Sequence, residues 1–147
     1  MSLFRPLISL MLVLISVLVV SCGDGSQAKA PTYSTQQLTQ IQATNKNVVA
    51  LSDRLPELAA MIEERDWNNV KSFIHGPLGE IRTRLSGLSR ELLPGSKEKA
   101  LAISKEIFVH LNKIDEAAGN NDYKVAIRNY GEALKDFASF SKLIPAA

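Results

Sequence analysis

Apolar residues recur every three or four positions from Ser34 almost to the end of the chain, the period of an amphipathic α-helix. The pattern falls into four stretches separated by capping and turn residues. The apolar stripes are Leu38, Ile41, Val48, Leu51, Leu55, Leu58 and Ile62; Trp67, Val70, Ile74, Leu78, Ile81, Leu85, Leu88 and Leu92; Ala100, Ile103, Ile107, Leu111, Ile114 and Ala118; and Tyr123, Ile127, Tyr130, Leu134, Phe137, Phe140 and Ile144. The β-branched residues keep the helical spacing, so the pattern predicts helices and no strand.

Helix-capping and helix-breaking residues predict where each stretch begins and ends. Ser34 and Gln37 have the spacing of a capping box, and Asp66 is placed to cap the second helix. Residues 94–96, Pro-Gly-Ser, are expected to end the second helix as a turn and to cap the third. Residues 119–122, Gly-Asn-Asn-Asp, should stop the third helix and cap the fourth, which Pro145 halts.

Two prolines fall inside the predicted helices. Pro56 cannot donate a hydrogen bond to the carbonyl of Ser52, so a kink or a restart is expected there. Gly76-Pro77 should cost the second helix about 3 kcal/mol or more and leave the Phe73 carbonyl without its intrahelical donor. We therefore expect a kink or a recognition surface, and residues 72–80 are the strongest candidate for a specific function.

Four helices of roughly 23–30 residues joined by short turns must pack antiparallel. The sequence therefore predicts an all-α protein, an up-down-up-down four-helix bundle over residues 35–147. A faint internal similarity relates residues 65–70 to residues 121–126: an acidic cap is followed by an aromatic residue in each. Similar capping chemistry and a true duplication both explain it.

The first 21 residues have the pattern of a secretory signal peptide. Arg5 precedes an apolar run over residues 7–20, which is shorter than the roughly 20 residues that span a bilayer. Residues 19–22, Val-Val-Ser-Cys, look like the bacterial lipobox, so we expect lipidation at Cys22; an ordinary signal peptide with an incidental cysteine is the alternative. Residues 22–34 are small and polar and predict a flexible tether between the lipid and the bundle.

Charge and motifs exclude several classes of function. Arg5 is the only charged residue before Cys22, which leaves 16 basic against 15 acidic residues in the mature chain. This balance argues against nucleic acid as a partner. No catalytic motif is present: Glu106 and His110 are one residue too far apart for the Glu-x-x-His pairs of di-iron bundles. The sequence therefore predicts no catalytic site and no bound cofactor.

The candidate binding residues lie mainly on the second helix. Lys71, Arg82, Arg84 and Arg90 form a basic set that could contact a partner, together with His75, Gly76 and Pro77; a solvated surface is the plain alternative. His75 and His110, with Glu106 or Glu80, are weak candidates for an opportunistic zinc site. A packed or hydrogen-bonded imidazole explains each histidine more simply, so no metal site is predicted.

Several of these residues also carry a family resemblance. The segments are Trp67 and Val70, residues 72–82 ending Pro-Leu-Gly-Glu-Ile-Arg, residues 92–94, residues 107–111 (Ile-Phe-Val-His-Leu), Asp122-Tyr123, and residues 130–137 (Tyr-Gly-Glu-Ala-Leu-Lys-Asp-Phe). Together they resemble the PsbQ family in its cyanobacterial lipoprotein form, over nearly all of residues 35–145. The segment Phe-Ile-His-Gly-Pro-Leu-Gly-Glu, residues 73–80, is the most specific part of the resemblance.

The resemblance implies a non-catalytic extrinsic subunit of photosystem II on the lumenal side of the thylakoid membrane, held there by lipid. Members of the family contact the photosystem II core and other lumenal extrinsic subunits. They stabilise the oxygen-evolving complex and help it retain calcium and chloride, and zinc is associated with them as a surface ion. The resemblance also implies that members of the family supply no ligand to the manganese-calcium cluster.

Residues 121–134 support a different interpretation. They resemble the boundary of a tetratricopeptide helix pair, so a membrane-tethered adaptor lipoprotein of the periplasm or lumen, built from helical hairpins, is the alternative. Against it, the repeat is faint and its spacing of 56 residues differs from the 34 of that family.

Overall fold

The computed structural model describes residues 31–146, which contain six α-helices and no strand. The predicted signal peptide, Cys22 and most of the predicted tether lie outside the described residues. The helices are α1 (Thr35–Ser52), α2 (Leu55–Glu63), α3 (Trp67–His75), α4 (Ile81–Glu91), α5 (Pro94–Gly119) and α6 (Tyr123–Ser141).

The six helices form four antiparallel rods. α1 and α2 follow one another along the first rod, and α3 and α4 along the second. α2 packs against α3, and α1 packs against α4, so the chain reverses direction between the two rods. α5 packs against both α3 and α4, and α6 against α5 and α2, which closes the ring. The predicted up-down-up-down four-helix bundle is confirmed.

The first three predicted stripes form most of the core of this bundle. The largest fully buried side chains lie on every rod: Ile41, Leu55, Leu58, Ile62, Val70, Leu78, Leu85, Leu88, Ile107, Ile114 and Phe140. Burying a side chain of this size contributes about 1.5–3 kcal/mol relative to leaving it exposed. The spacing of apolar residues therefore accounts for both the helices and their packing in the first three rods.

The prediction is wrong for much of α6: its buried residues are Ala126, Asn129, Ala133, Phe137 and Phe140. The predicted stripe residues Tyr123, Ile127 and Tyr130 are only partly buried, and Leu134 is 40% exposed.

Side chains cap the helices where the sequence places capping residues. The Gln37 backbone N–H donates to the Ser34 hydroxyl at 3.2 Å, and the Ser34 N–H donates to the Gln37 side-chain oxygen at 2.8 Å. The Asp66 carboxylate accepts from the Asn69 N–H, and the Asp122 carboxylate from the Val125 N–H. The capping predictions at Ser34, Asp66 and Asp122 are therefore confirmed.

The two corners that precede α3 and α6 have the same backbone course. Arg65 and Asn121 have positive φ angles of 57° and 55°, and the following aspartate caps the next helix in each corner. The guanidinium carbon of Arg65 lies 5.5 Å from the centroid of the Tyr123 ring, so the corners meet at one end of the bundle. The faint sequence repeat therefore corresponds to a repeated corner geometry.

Two predicted boundaries are wrong. α5 begins at Pro94, and its N-cap is Leu93 in extended conformation, so residues 94–96 lie inside the helix and do not cap it. Proline favours this first position because its φ is already helical and the first N–H has no intrahelical partner. α6 ends at Ser141, before Ile144, because Pro145 disfavours helical geometry in the residue that precedes it.

Both internal prolines coincide with breaks. α1 ends at Ser52 and α2 restarts at Leu55, which places Pro56 in the first turn, where its missing N–H costs no hydrogen bond. At Gly76-Pro77 the helix ends at His75 and resumes at Ile81. The Phe73 carbonyl keeps a donor, contrary to expectation, because the Leu78 N–H bonds to it at 3.0 Å.

Backbone contacts inside this second break leave no room for a side chain at either glycine. A Cβ on Gly79 would lie 2.5 Å from the His75 carbonyl oxygen and 3.2 Å from that of Gly76. A Cβ on Gly76 would lie 2.8 Å from the Ser72 carbonyl oxygen. The short connection between α3 and α4 therefore depends on glycine at both positions.

Gly79→Ala should destabilise the bundle by about 1–3 kcal/mol, because the added methyl group forces backbone atoms apart. Gly87→Ala in α4 is the matched control: its Cβ meets no atom within 4 Å, and replacing a helical glycine should stabilise by about 0.5–1 kcal/mol. Urea denaturation measures both free energies of unfolding. Equal effects of the two substitutions would contradict the close approach at Gly79.

Candidate interaction surface at the α3–α4 break

The break between α3 and α4 combines an apolar anchor with exposed polar groups. Leu78 is 1% exposed and fixes the connection to the core, whereas His75, Gly76, Gly79 and Glu80 are exposed. Within residues 31–146, no backbone N–H bonds to the carbonyls of His75 and Pro77. In a continuous helix these two carbonyls would accept from N–H groups four residues further along, so the break leaves them without a backbone donor.

A shallow groove lies on each side of the break. The first, about 270 Å³, runs between the break and α5 and is lined by Ile74, Leu78, Ile81, Phe108 and Leu111, with His75 at its edge. The second, about 180 Å³, lies toward α2 and is lined by Met61, Phe73 and Pro77 with Asn69 and Ser72. The segment singled out by sequence therefore stands as a ridge between two partly apolar grooves.

An arginine covers the aromatic ring beside each groove. The Arg82 guanidinium carbon lies 4.6 Å from the centroid of the Phe108 ring, and that of Arg54 lies 4.9 Å from the Phe73 ring. Phe73 is buried in the core and Phe108 is half-buried beside it. The two arginines contribute to the packing of neighbouring rods as well as to surface charge.

The predicted basic set does not form one face of the bundle. At 100° per residue, Arg82 and Arg84 point about 160° apart, to nearly opposite sides of α4. Arg82 is engaged with Phe108, and Arg84 forms an ion pair with Glu80 at 2.8 Å. Lys71 and Arg90 are exposed and have no ion-pair partner among residues 31–146. Lys71 and His75, one turn apart on α3, share a face beside the break.

The two histidines have separate partners. His75 Nε2 lies 3.0 Å from a carboxylate oxygen of Asp115 on an exposed edge of the α3–α5 contact. His110 Nδ1 lies 3.0 Å from the side-chain oxygen of Asn129, between α5 and α6. Among the described residues, neither imidazole forms a hydrogen bond or an ion pair with Glu106 or Glu80. Within the described part of the chain, no three His, Cys, Asp or Glu side chains are grouped to hold a metal ion.

Sequence reasoning missed the carboxylates and amides that bind these imidazoles. Asn129 gave no signal, because it lies outside the predicted apolar stripe of its helix, although the structure buries it between Ala126 and Ala133 and leaves only 3% of it exposed. Asp115 and Asp136 offered none, because carboxylates on partly exposed helix flanks are ordinary. In addition, none of the helices in residues 31–146 combines the length and the hydropathy needed to cross a bilayer.

Comparison with known proteins gives two matches. The model of the family PsbQ, described as oxygen evolving enhancer protein 3, matches residues 5–145. The chain is 38% identical to CyanoQ of Synechocystis sp. over 148 aligned positions, which cover 100% of this chain and 99% of that protein. Both matches include the predicted signal region as well as the helical bundle.

Arg82→Ala should lower the free energy of unfolding by about 0.5–1 kcal/mol, since it removes a cation–π contact between α4 and α5. Arg128→Ala is the control, because Arg128 is exposed on α6 and has neither an aromatic nor an ion-pair contact in the described residues. Thermal unfolding compares the two variants. Equal midpoints would show that the Arg82–Phe108 contact adds nothing to stability.

Proposed function

We propose that this chain, which belongs to the PsbQ family, is a non-catalytic extrinsic subunit of photosystem II on the lumenal side of the thylakoid membrane. The observation that carries the proposal is the family match over residues 5–145, supported by 38% identity to CyanoQ over the full length. A bundle whose core is filled by apolar side chains suits a binding and stabilising role.

We further propose that the chain helps photosystem II to retain calcium and chloride. The name of the matching family, oxygen evolving enhancer protein, supports an auxiliary role in oxygen evolution. Such a role requires only a surface that binds the complex and limits the escape of ions. No ligand to those ions need come from this chain, and zinc bound at a histidine would be incidental to it.

Membrane attachment through lipid at Cys22 completes the proposal. The lipobox at residues 19–22 supports it, and two acyl chains on a cysteine provide stable anchoring where one would not. A tether of residues 22–34 would raise the local concentration of the bundle near its partner. A modest interface would then remain well occupied.

The ridge at residues 75–80 is the surface that we propose for docking on the lumenal face of photosystem II, assisted by two basic residues of the same rod: Lys71, one turn before His75, and Arg90, near the far end of α4. Its support is the combination of exposed residues at the break, two grooves, and basic side chains without ion-pair partners in the described residues. Contacts of this kind are polar and are weakened by salt. Arg82 and Arg84 contribute less in this arrangement, because Phe108 and Glu80 already engage them.

Charge reversal at Lys71 and Arg90 should weaken retention of the chain on photosystem II. Lys71→Glu combined with Arg90→Glu removes two positive charges from the proposed surface. Immunoblots of purified oxygen-evolving particles, washed at increasing salt, measure retention, and thermal unfolding confirms that the variant is folded. Loss at a lower salt concentration than the parent chain is expected.

The matched control combines Lys124→Glu with Lys142→Glu, which make the same change in net charge at exposed positions on and just after α6. It should be retained like the parent. Equal release of both double variants would remove the ridge from the interface. Absence of the parent chain from every photosystem II preparation would overturn the proposed function and favour the adaptor alternative.

Removing the protein from photosystem II should lower oxygen evolution in medium depleted of calcium or chloride and leave it unchanged in replete medium. The reason is that a retention role matters only when escaping ions are not replaced from solution. Polarographic oxygen measurements on particles with and without the chain test this, with re-addition of the purified protein as the control. An equal loss of activity in replete medium would contradict a role in ion retention.

A further inference from the structure

A groove between the end of α5 and the start of α6 is lined by charged side chains of both signs. Its volume is about 370 Å³, and none of residues 75–80 lines it. Its charged lining residues are Lys113 and Glu116 on α5, Arg128 on α6, and Asp122, which caps α6. The groove therefore offers two positive and two negative groups to a ligand, on a part of the surface separate from the ridge.

The two positive side chains stand at the same level on opposite walls of the groove. Lys113 lies six residues before the end of α5 at Gly119, and Arg128 lies five residues after the start of α6 at Tyr123. At 1.5 Å per residue, both are about 7.5–9 Å from the corner that joins the two helices. Both are exposed, and within residues 31–146 neither forms an ion pair. An anionic group between them would relieve the repulsion of two like charges.

A buried amide completes this positive end of the groove. Asn129 lines the groove and is only 3% exposed. Its amide nitrogen donates to the Val125 carbonyl at 2.8 Å, and its oxygen lies 3.0 Å from His110 Nδ1. An amide nitrogen carries two N–H groups, and the second finds no acceptor among the described residues. A ligand oxygen that accepted from this N–H would satisfy a buried donor that is costly to leave unpaired.

The negative end of the groove lies nearer the corner. Glu116 is about 4.5 Å beyond Lys113 along the axis of α5 and forms no ion pair in the part of the chain that the structure describes. The Asp122 carboxylate is already engaged, since it accepts from the Val125 N–H at 3.1 Å. A simple anion between the two cations would lie close to the Glu116 carboxylate and be repelled by it. A ligand that carries an ammonium group beside its carboxylate would meet an opposite charge at each end.

We propose that this groove binds a small zwitterion of the amino-acid type. The carboxylate of the ligand contacts Lys113, Arg128 and the Asn129 amide, and its ammonium group faces Glu116. Docking on photosystem II is not required for this binding, because the groove lies on the α5–α6 hairpin and shares no residue with the ridge. A ligand held by both helices also stabilises the folded chain, since it binds only where α5 and α6 are packed together.

Titration of the full chain with glycine, followed by NMR at about pH 7 and constant ionic strength, tests the proposal. The side-chain N–H signals of Asn129 and the backbone signals of the groove residues should shift and reach saturation. Acetate, which has the carboxylate without the ammonium group, should bind more weakly. Glycine shifts that do not saturate would overturn the site. Equal affinity for acetate would overturn the zwitterion and leave a site for anions only.

A double variant at the positive end, Lys113→Gln with Arg128→Gln, should weaken glycine binding about tenfold or more, because two charge-assisted contacts to the carboxylate are lost. The matched control combines Lys46→Gln with Lys142→Gln, which make the same change in net charge at exposed positions outside the groove. This control should bind glycine like the parent. Unchanged affinity in the first variant, or equal weakening in both, would overturn the assignment of the carboxylate end.

A variant at the negative end, Glu116→Gln, separates the two charges of the ligand. It should weaken the binding of glycine, whose ammonium group loses its partner, and strengthen the binding of acetate, which is no longer repelled. Affinities for both probes that match those of the parent would contradict the placement of the ammonium group.

Thermal unfolding gives a readout that does not depend on signal assignment. Glycine should raise the midpoint of the parent more than that of the Lys113→Gln, Arg128→Gln variant. Only the parent gains binding free energy in addition to the general stabilisation that an excluded solute gives to any fold. An equal rise in the two proteins would show that glycine acts on the surface as a whole, and would overturn the proposal.

Discussion

The close approach of backbone to backbone at residues 75–80 is the constraint on which the proposed docking surface, at the break between α3 and α4, depends. The chain turns from α3 into α4 within a few residues because glycines at 76 and 79 admit carbonyl oxygens where a side chain would stand. Pro77 ends the helix, and the Leu78 N–H satisfies the Phe73 carbonyl from one residue further along than an α-helix would. Leu78 then returns to the core, so the break is anchored rather than frayed.

The packing on both sides follows from this break. On either side of the break, Arg54 lies over the ring of Phe73 and Arg82 over that of Phe108. Grooves remain beside the ridge. The second hairpin differs in kind, since α5 is unbroken over 26 residues and its polar contact with α6 lies inside the interface, at His110. One half of the bundle therefore presents a shaped surface, and the other half contains a polar contact inside its helix interface.

Much of the fold was predictable because its causes are local. Three-and-four spacing identified the four rods, and Ser34, Asp66 and Asp122 cap helices through side chains only three residues away. Two helix boundaries were predicted wrongly. Pro94 is the first residue of α5 and not part of a turn before it, and α6 ends at Ser141, short of the predicted stripe residue Ile144. The hydrogen bond from the Leu78 N–H to the Phe73 carbonyl depends on the course of the chain beyond Pro77, which the helical period does not predict.

The candidate site was predictable in location and not in detail. Residues 72–80 were predicted as the functional segment because Gly-Pro is costly in a helix, and the structure places a ridge there. The four basic residues of the second rod were grouped by sequence proximity, yet tertiary contacts divide them, since Arg82 meets a ring on α5 that lies 26 residues away in sequence. Asp115 and Asp136 find their histidines across helix interfaces, which no local pattern reveals.

Amide hydrogen exchange of the chain, free and bound to photosystem II, tests the central claim most directly. Docking through the ridge predicts slower exchange of the amide N–H groups of residues 72–84 on binding, and little change in α6. Protection confined to α6, with residues 72–84 exchanging as in the free protein, would contradict it.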